Sequence, residues 1–195
     1  MISIPGITIG ARGVAEDASL PDQPLMPARV DVFLDYMCPY CRQFDQQNGP
    51  DLQEMVNRGL TAWVIHPLAF LDRLSQGSAY STRSAAAAYA VAQGAPEHFG
   101  AFNALLFNNQ PKEGTAGLSG ARLEGLAQEL GVSQEVTKTF ATAAFFSVVQ
   151  ASTQVAIDAG VQGTPTVLLS SPGAGTYQWD GSTSIVDALE VMTRA

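Results

Sequence analysis

The chain predicts an α/β fold whose strands and helices follow the order β-α-β, a helical block, then β-β-α. Three observations carry this reading. Short apolar runs rich in β-branched and aromatic residues stand at Val30–Leu34, Leu60–Pro67 and Val167–Leu169. Between the second and third of these runs, apolar residues recur three and four apart, the period of a helix with one buried face. Gly and Pro punctuate the boundaries, at Asn48-Gly49-Pro50, Gly59, Gly131 and Pro172 to Gly175.

In chain order, Ile2 to Ile9 alternates loosely and predicts an edge strand ended by Gly10 and Gly13. Ala11 to Pro27, heavy in Pro and Asp, reads as a loop. The strand centred on Val30, Val32, Phe33 and Leu34 follows, and the polar residues Arg42 to Asn48 are compatible with a helix after it. Pro50 either kinks that helix or starts a new one running to Arg58, with Gly59 as its stop. Leu60 to Pro67 is the second strand, with Trp63, Val64 and Ile65 as its core. From Ser75 to about Gly160 only helical patterns appear. They are an Ala-rich helix around Ala85 to Val91, Glu97 to Asn108, Ala121 to Leu130, a helix capped by Ser133, and Phe145 to Ala159. Val167 to Leu169 and Tyr177 to Trp179 are the last strands, and Ser182 or Ser184 caps a final helix with Ile185, Leu189 and Met192 inward.

The length, 195 residues, suits one domain over 1–195, and 46% hydrophobic residues supply ample core. A net charge of -8 argues against nucleic acid or an anionic membrane surface as partner, since both attract basic patches. No segment approaches the run of about 18 apolar residues that reads as a membrane span. Met1 to Gly10 lacks a basic region followed by a long apolar one, so no signal peptide is visible. Two explanations stay open: a cytoplasmic protein, or one whose export signal or anchor was removed.

Both cysteines of the chain fall in Asp35-Tyr36-Met37-Cys38-Pro39-Tyr40-Cys41-Arg42. Cys38 sits where a strand turns into a helix, with Pro39 in the first turn, where its missing N–H costs nothing. A sulfur there faces unsatisfied backbone N–H groups and the positive end of the helix dipole, a setting that lowers thiol pKa values. Cys41, about a turn further in, is more buried and less acidic, yet close enough to attack a mixed disulfide at Cys38. The spacing supplies a nucleophile and a resolver. A half-site for zinc, two inert core thiols and a structural short-loop disulfide are the competing readings. The first lacks the usual four ligands, because no second cysteine pair exists and His66 and His98 are not spaced as a couple.

With Cys-Pro-Tyr-Cys at the first helix, His66-Pro67-Leu68 closing a strand and Val161-Gln162-Gly163-Thr164-Pro165-Thr166 before a late strand, the chain resembles the DsbA-like family of thiol:disulfide oxidoreductases. The resemblance runs from Val30 to the C-terminus. It implies a thioredoxin fold, a mixed central sheet flanked by helices, with a helical insertion over roughly 75–160. It implies catalysis by Cys38 and Cys41, supported by Pro39, Tyr40, Thr164 and His66, and by Pro165 in a cis peptide against the sulfurs. It implies no metal and no cofactor. The partners would be protein substrates with free thiols or disulfides and a redox partner that resets the pair, around a monomer outside the cytoplasm with a possible membrane anchor. Phe and Leu side chains of the helical block would line an apolar groove for unfolded chains.

One feature departs from the family. Many members carry a buried acid six residues before the first cysteine, and here that position is Val32. Asp31 and Asp35 stand at other offsets, so proton transfer at Cys41 would use water or His66. Tyr40 does not fix the direction of catalysis, because Pro-Tyr is shared with glutaredoxins. Formation of disulfides in exported proteins is the leading reading. A cytoplasmic reductase or isomerase and a non-catalytic peptide-binding or chaperone module of the same fold are the alternatives.

Overall fold

The computed structural model describes residues 6–11, 13–14 and 28–194. Six strands form one mixed sheet in the order β2-β1-β4-β3-β5-β6. They are β1 (Ile7–Gly10), β2 (Gly13–Val14), β3 (Arg29–Leu34), β4 (Ala62–Pro67), β5 (Thr166–Ser171) and β6 (Gly175–Gln178). Only β3 and β4 run parallel, and the other neighbours are antiparallel. The helices are α1 (Pro39–Asn57), α2 (Tyr80–Gly94), α3 (Phe99–Asn108), α4 (Gly120–Glu129), α5 (Gln134–Thr137), α6 (Ala143–Asp158) and α7 (Ile185–Arg194). Helices α2 to α6 all lie between β4 and β5 in sequence, the block that the helical periodicities predict.

The first strand differs from expectation. It is flanked on both sides, by β4 and by the two-residue β2, so the edge belongs to Gly13–Val14 within a stretch that reads as loop. The early part of the expected strand and most of that loop lie outside the described residues.

Strand β3 is central because its side chains are wanted on both faces. Val30, Val32 and Leu34 join Trp63, Ile65 and the α1 residues Phe44 and Leu52 in the main core. Phe33 points the other way, into a smaller cluster with Leu68, Ala156 of α6 and Val161.

Helix α1 continues through Pro50 without a break. An interior proline costs about 3 kcal/mol. Leu52, Met55 and Val56 beyond it are buried, at up to 8% exposure, and each large apolar side chain contributes about 1.5–3 kcal/mol on burial. Packing on both sides of the proline therefore outweighs its local penalty. At the far end Ser184 caps α7, its hydroxyl accepting the Asp187 amide at 3.1 Å. Among the described residues no helix is long and apolar enough to cross a membrane.

Candidate active site

Strand β3 ends at Leu34, and a tight turn delivers the chain into α1 with Cys38 as its N-cap. The turn is closed by the Cys38 amide donating to the Asp35 carbonyl at 3.0 Å. Pro39 occupies the first helical position. The Cys38 carbonyl accepts the amides of Cys41 at 3.1 Å and Arg42 at 3.3 Å. Both cysteines are free thiols, 4% and 1% exposed. Tyr40, between them in sequence, is 69% exposed and stands out from the surface.

The late loop closes over this turn. The Thr164–Pro165 peptide is cis, and the Cys38 thiol donates to the Thr164 carbonyl at 3.1 Å across 126 positions of sequence. The structure thus brings Cys38, Cys41, Pro39 and Thr164 together, with Pro165 next to Thr164. Arg42 is exposed on the outer side of the helix.

The two thiols sit in opposite electrostatic settings. Cys38 is brought down to about 6, first by its hydrogen bond with Cys41, then by the Thr164 hydroxyl and the Cys41 and Tyr40 amides, all against the cost of burial. Burial pushes Cys41 well above the ordinary thiol value, and its neighbour Cys38 pushes it further. One residue is at the mouth of a helix where N–H groups converge; the other is a turn deeper with fewer donors.

The acid beside the pair is Asp35. Its amide donates to Cys41 Sγ at 3.4 Å, and its fully buried carboxylate accepts the Met37 amide at 2.8 Å and the Leu71 amide at 2.9 Å. Burial raises Asp35 to about 6, partly offset by those two amides and the Ser81 hydroxyl.

His66 is placed elsewhere. Side chains alternate along a strand, and Ile65 is the β4 residue that shares the α1 side with Val32. His66 pairs with Phe33 and stacks on its ring at 4.4 Å. Its Nε2 bonds Asp31 at 2.7 Å, and Arg29 grips the same carboxylate through Nε and Nη2 at 2.6 and 2.7 Å. Burial alone would push Asp31 up, but the hydrogen bonds from His66 and Arg29 bring it below the usual carboxylate range. His66 thus lies on the side of the sheet opposite α1, because a shift of one residue along a strand reverses the side chain.

Two further contributors carry no mark in the sequence. Gln110, just after α3, donates through Nε2 to the carbonyls of Cys38 at 2.9 Å and Tyr36 at 3.1 Å. Tyr36 in turn donates to Asn103 at 2.9 Å, and Asn103 to Asp45 of α1 at 2.8 Å. These bonds tie the helical block to the cysteine turn across some 70 positions of sequence, with separations of 67 to 74 for those from Tyr36 and Gln110. A lone Gln or Asn offers no pattern that would single it out.

Most of the large Phe and Leu side chains of α3 and α4 are turned inward and offer no groove. Phe99, Phe102, Leu106, Phe107, Leu123 and Leu126 are at most 2% exposed and form the block's own core.

Comparison with known proteins agrees with this geometry. The family described as Thioredoxin matches residues 24–188. The serine/threonine-protein kinase PknE of Mycobacterium tuberculosis is 30% identical over 174 residues, which is 87% of this chain; the chain spans only 29% of that kinase's length. The oxidised crystal structure of DsbA from Mycobacterium tuberculosis superposes with a TM-score of 0.77 at 28% identity, covering 98% of this chain and 94% of that one. The reduced form of the disulfide bond oxidoreductase DsbG from the same organism gives 0.77 at 28% identity, covering 97% and 88%. With a cysteine at a helix mouth opposed by a late proline loop, the chain belongs to the thioredoxin family, and its fold is DsbA-like.

Proposed function

We propose that the protein introduces disulfide bonds into exported proteins, using Cys38 as the exchanging sulfur and Cys41 as the resolver. The opposite settings of the two thiols carry this reading: Cys38 titrates at about 6 while Cys41 is raised. A substrate thiolate attacks Cys38 Sγ of the Cys38–Cys41 disulfide. The S–S bond breaks, Cys41 leaves as a thiolate and takes up a proton, and a mixed disulfide joins Cys38 to the substrate. A second substrate thiolate then attacks the substrate sulfur, forms the substrate's disulfide and expels Cys38 as a thiolate. Two electrons have passed to the enzyme, and a redox partner must remove them.

The low pKa favours Cys38 in the last step, because a more acidic thiol is a better leaving group. Cys41 must be protonated in the first; the Asp35 backbone amide donates to that sulfur, and the buried Asp35 carboxyl, held by the Met37 and Leu71 amides, belongs to the same turn. Pro39 fixes the start of α1, while Tyr40, Thr164 and Pro165 form the surface a substrate meets. Substrates are proteins with free thiols. The protein works as a monomer, one domain over 1–195 with its helical insertion over roughly 75–160, outside the cytoplasm, where disulfides persist.

The reduction potential tests the direction. Thiol–disulfide proteins of this fold run from about -120 mV for a strong oxidant to about -270 mV for thioredoxin. A value in the upper half of that range, with Cys38→Ser inactive on a reduced unfolded protein, supports the oxidase. A value near the reducing end assigns the protein to disulfide reduction, and an active Cys38→Ser variant removes the mechanism.

A further inference from the structure

A groove of about 660 Å³ opens beside the cysteines, between the loop after β4 and the late proline loop. Thr164, whose carbonyl accepts the Cys38 thiol, forms one end of its wall. Phe70, Leu71, Ile157 and Val161 provide apolar lining, and Ile157 is 49% exposed, an unusual position for a large aliphatic side chain. Side chains built at Gly160 or Gly163 would meet nothing within 4 Å, so the wall between Ile157 and Thr164 is open to an occupant.

One charged residue lines this groove, Arg73. Its sequence neighbour Asp72 is turned away, with both carboxylate oxygens taken by the amide and hydroxyl of Thr82 at 3.0 and 2.6 Å. Asp158, beside Ile157, accepts Gln154 at 2.8 Å. Among the described residues Arg73 has no carboxylate partner. A chain of net charge -8 therefore presents an uncompensated cation in an apolar groove that reaches Thr164, the residue bonded to its reactive sulfur.

We infer that this groove is a docking subsite for an extended, apolar segment of the substrate that carries an acidic side chain close to its reacting cysteine. The inference rests on the disulfide-exchange reading and names the kind of sequence that exchange selects. Arg73 and Thr164 line the same groove, so the acid belongs a few residues from the cysteine that reacts at Cys38. The segment's apolar residues cover Phe70 and Ile157 while its carboxylate meets Arg73.

Two reduced peptides test this, each with one cysteine in an apolar stretch and differing only in a Glu or a Lys two or three residues away. Each is mixed with the oxidised protein, and the second-order rate of mixed-disulfide formation at Cys38 is read by acid quench and mass spectrometry. The overall field of a protein at -8 favours the Lys peptide. The subsite predicts the reverse, with the Glu peptide about fivefold faster at low salt, from an exposed ion pair of at most about 1 kcal/mol. The advantage fades as salt screens the pair. Arg73→Glu should turn the preference toward Lys, and Ile157→Ser should slow both peptides. Equal rates, or a Glu preference that survives Arg73→Glu, overturn the subsite while leaving the exchange reaction standing. If neither peptide forms a mixed disulfide, the exchange reading fails and the subsite goes with it.

Discussion

The largest influence holding Cys38 at about 6 is its hydrogen bond with Cys41, ahead of the amides at the helix mouth. Cys41→Ala removes that donor and leaves the helix intact. A hydrogen bond to a charged group is worth about 1.5–3 kcal/mol. At 1.36 kcal/mol per unit, its loss should move the Cys38 titration up by about one to two units, to between about 7 and 8. At pH 7 the thiolate fraction then drops from about nine-tenths to between about one-half and one-tenth, slowing alkylation by iodoacetamide about two- to tenfold. Cys41→Ser keeps a hydroxyl donor at the same place and should titrate within about half a unit of the parent. The assay is ultraviolet thiolate absorbance against pH, with alkylation rates as an independent check. Refutation is unambiguous: if Cys41→Ala titrates at the parent's pH, the helix N-terminus alone sets the thiolate and the neighbouring thiol contributes nothing.

The stability of the reduced protein relative to the oxidised one should depend on pH through Cys38. Its folded value of about 6 lies below the ordinary 9.0, so the stabilisation is fully present above 9.0 and is lost as pH falls through about 6. At pH 7 about 1.4 kcal/mol of it remains, equivalent to about 30 mV, and a reduced-minus-oxidised urea stability that does not rise between pH 5 and 8 contradicts this. Asp35→Asn leaves one oxygen for the two amides of Met37 and Leu71 and should cost about 1–3 kcal/mol in urea unfolding. Because Asp35 is raised to about 6, its contribution is present below the usual carboxylate value and fades as pH rises through about 6; the Asn variant should lack that slope. His66→Phe should leave the exchange rate within about twofold while lowering stability by about 1–3 kcal/mol, since Asp31 loses a partner. A collapse of exchange with stability intact would return His66 to the active site.

Val30, Val32 and Leu34 announce a strand because apolar residues two apart line one buried face, and Phe33 between them adds the other. Cys38 and Pro39 announce the helix start because both suit an N-terminus locally. Pro50 leaves two outcomes open, a kink or a new start: its local penalty is real, but packing of distant residues against Leu52 and Met55 keeps one helix running through it. Which side of the sheet His66 faces is not legible, because neighbours on a strand face opposite sides and only the pairing register tells which. The apolar residues of α3 and α4 have the spacing of a buried face, but the spacing does not say whether that face meets a neighbouring helix or a substrate.

The order of elements, the cysteine pair at a strand-to-helix turn and the position of the late proline can be read from neighbouring residues, because each is a short-range property. The tertiary structure decided what acts on those sulfurs. The carbonyl of Thr164, the amide of Gln110 and the buried position of Asp35 reach the pair from far along the chain, or depend on burial that only packing creates. It also placed an apolar groove between α6 and the loops that carry Arg73 and Thr164. Contacts across some 70 to 126 positions leave no period or spacing in a sequence; they exist only once the sheet has brought its loops to one end.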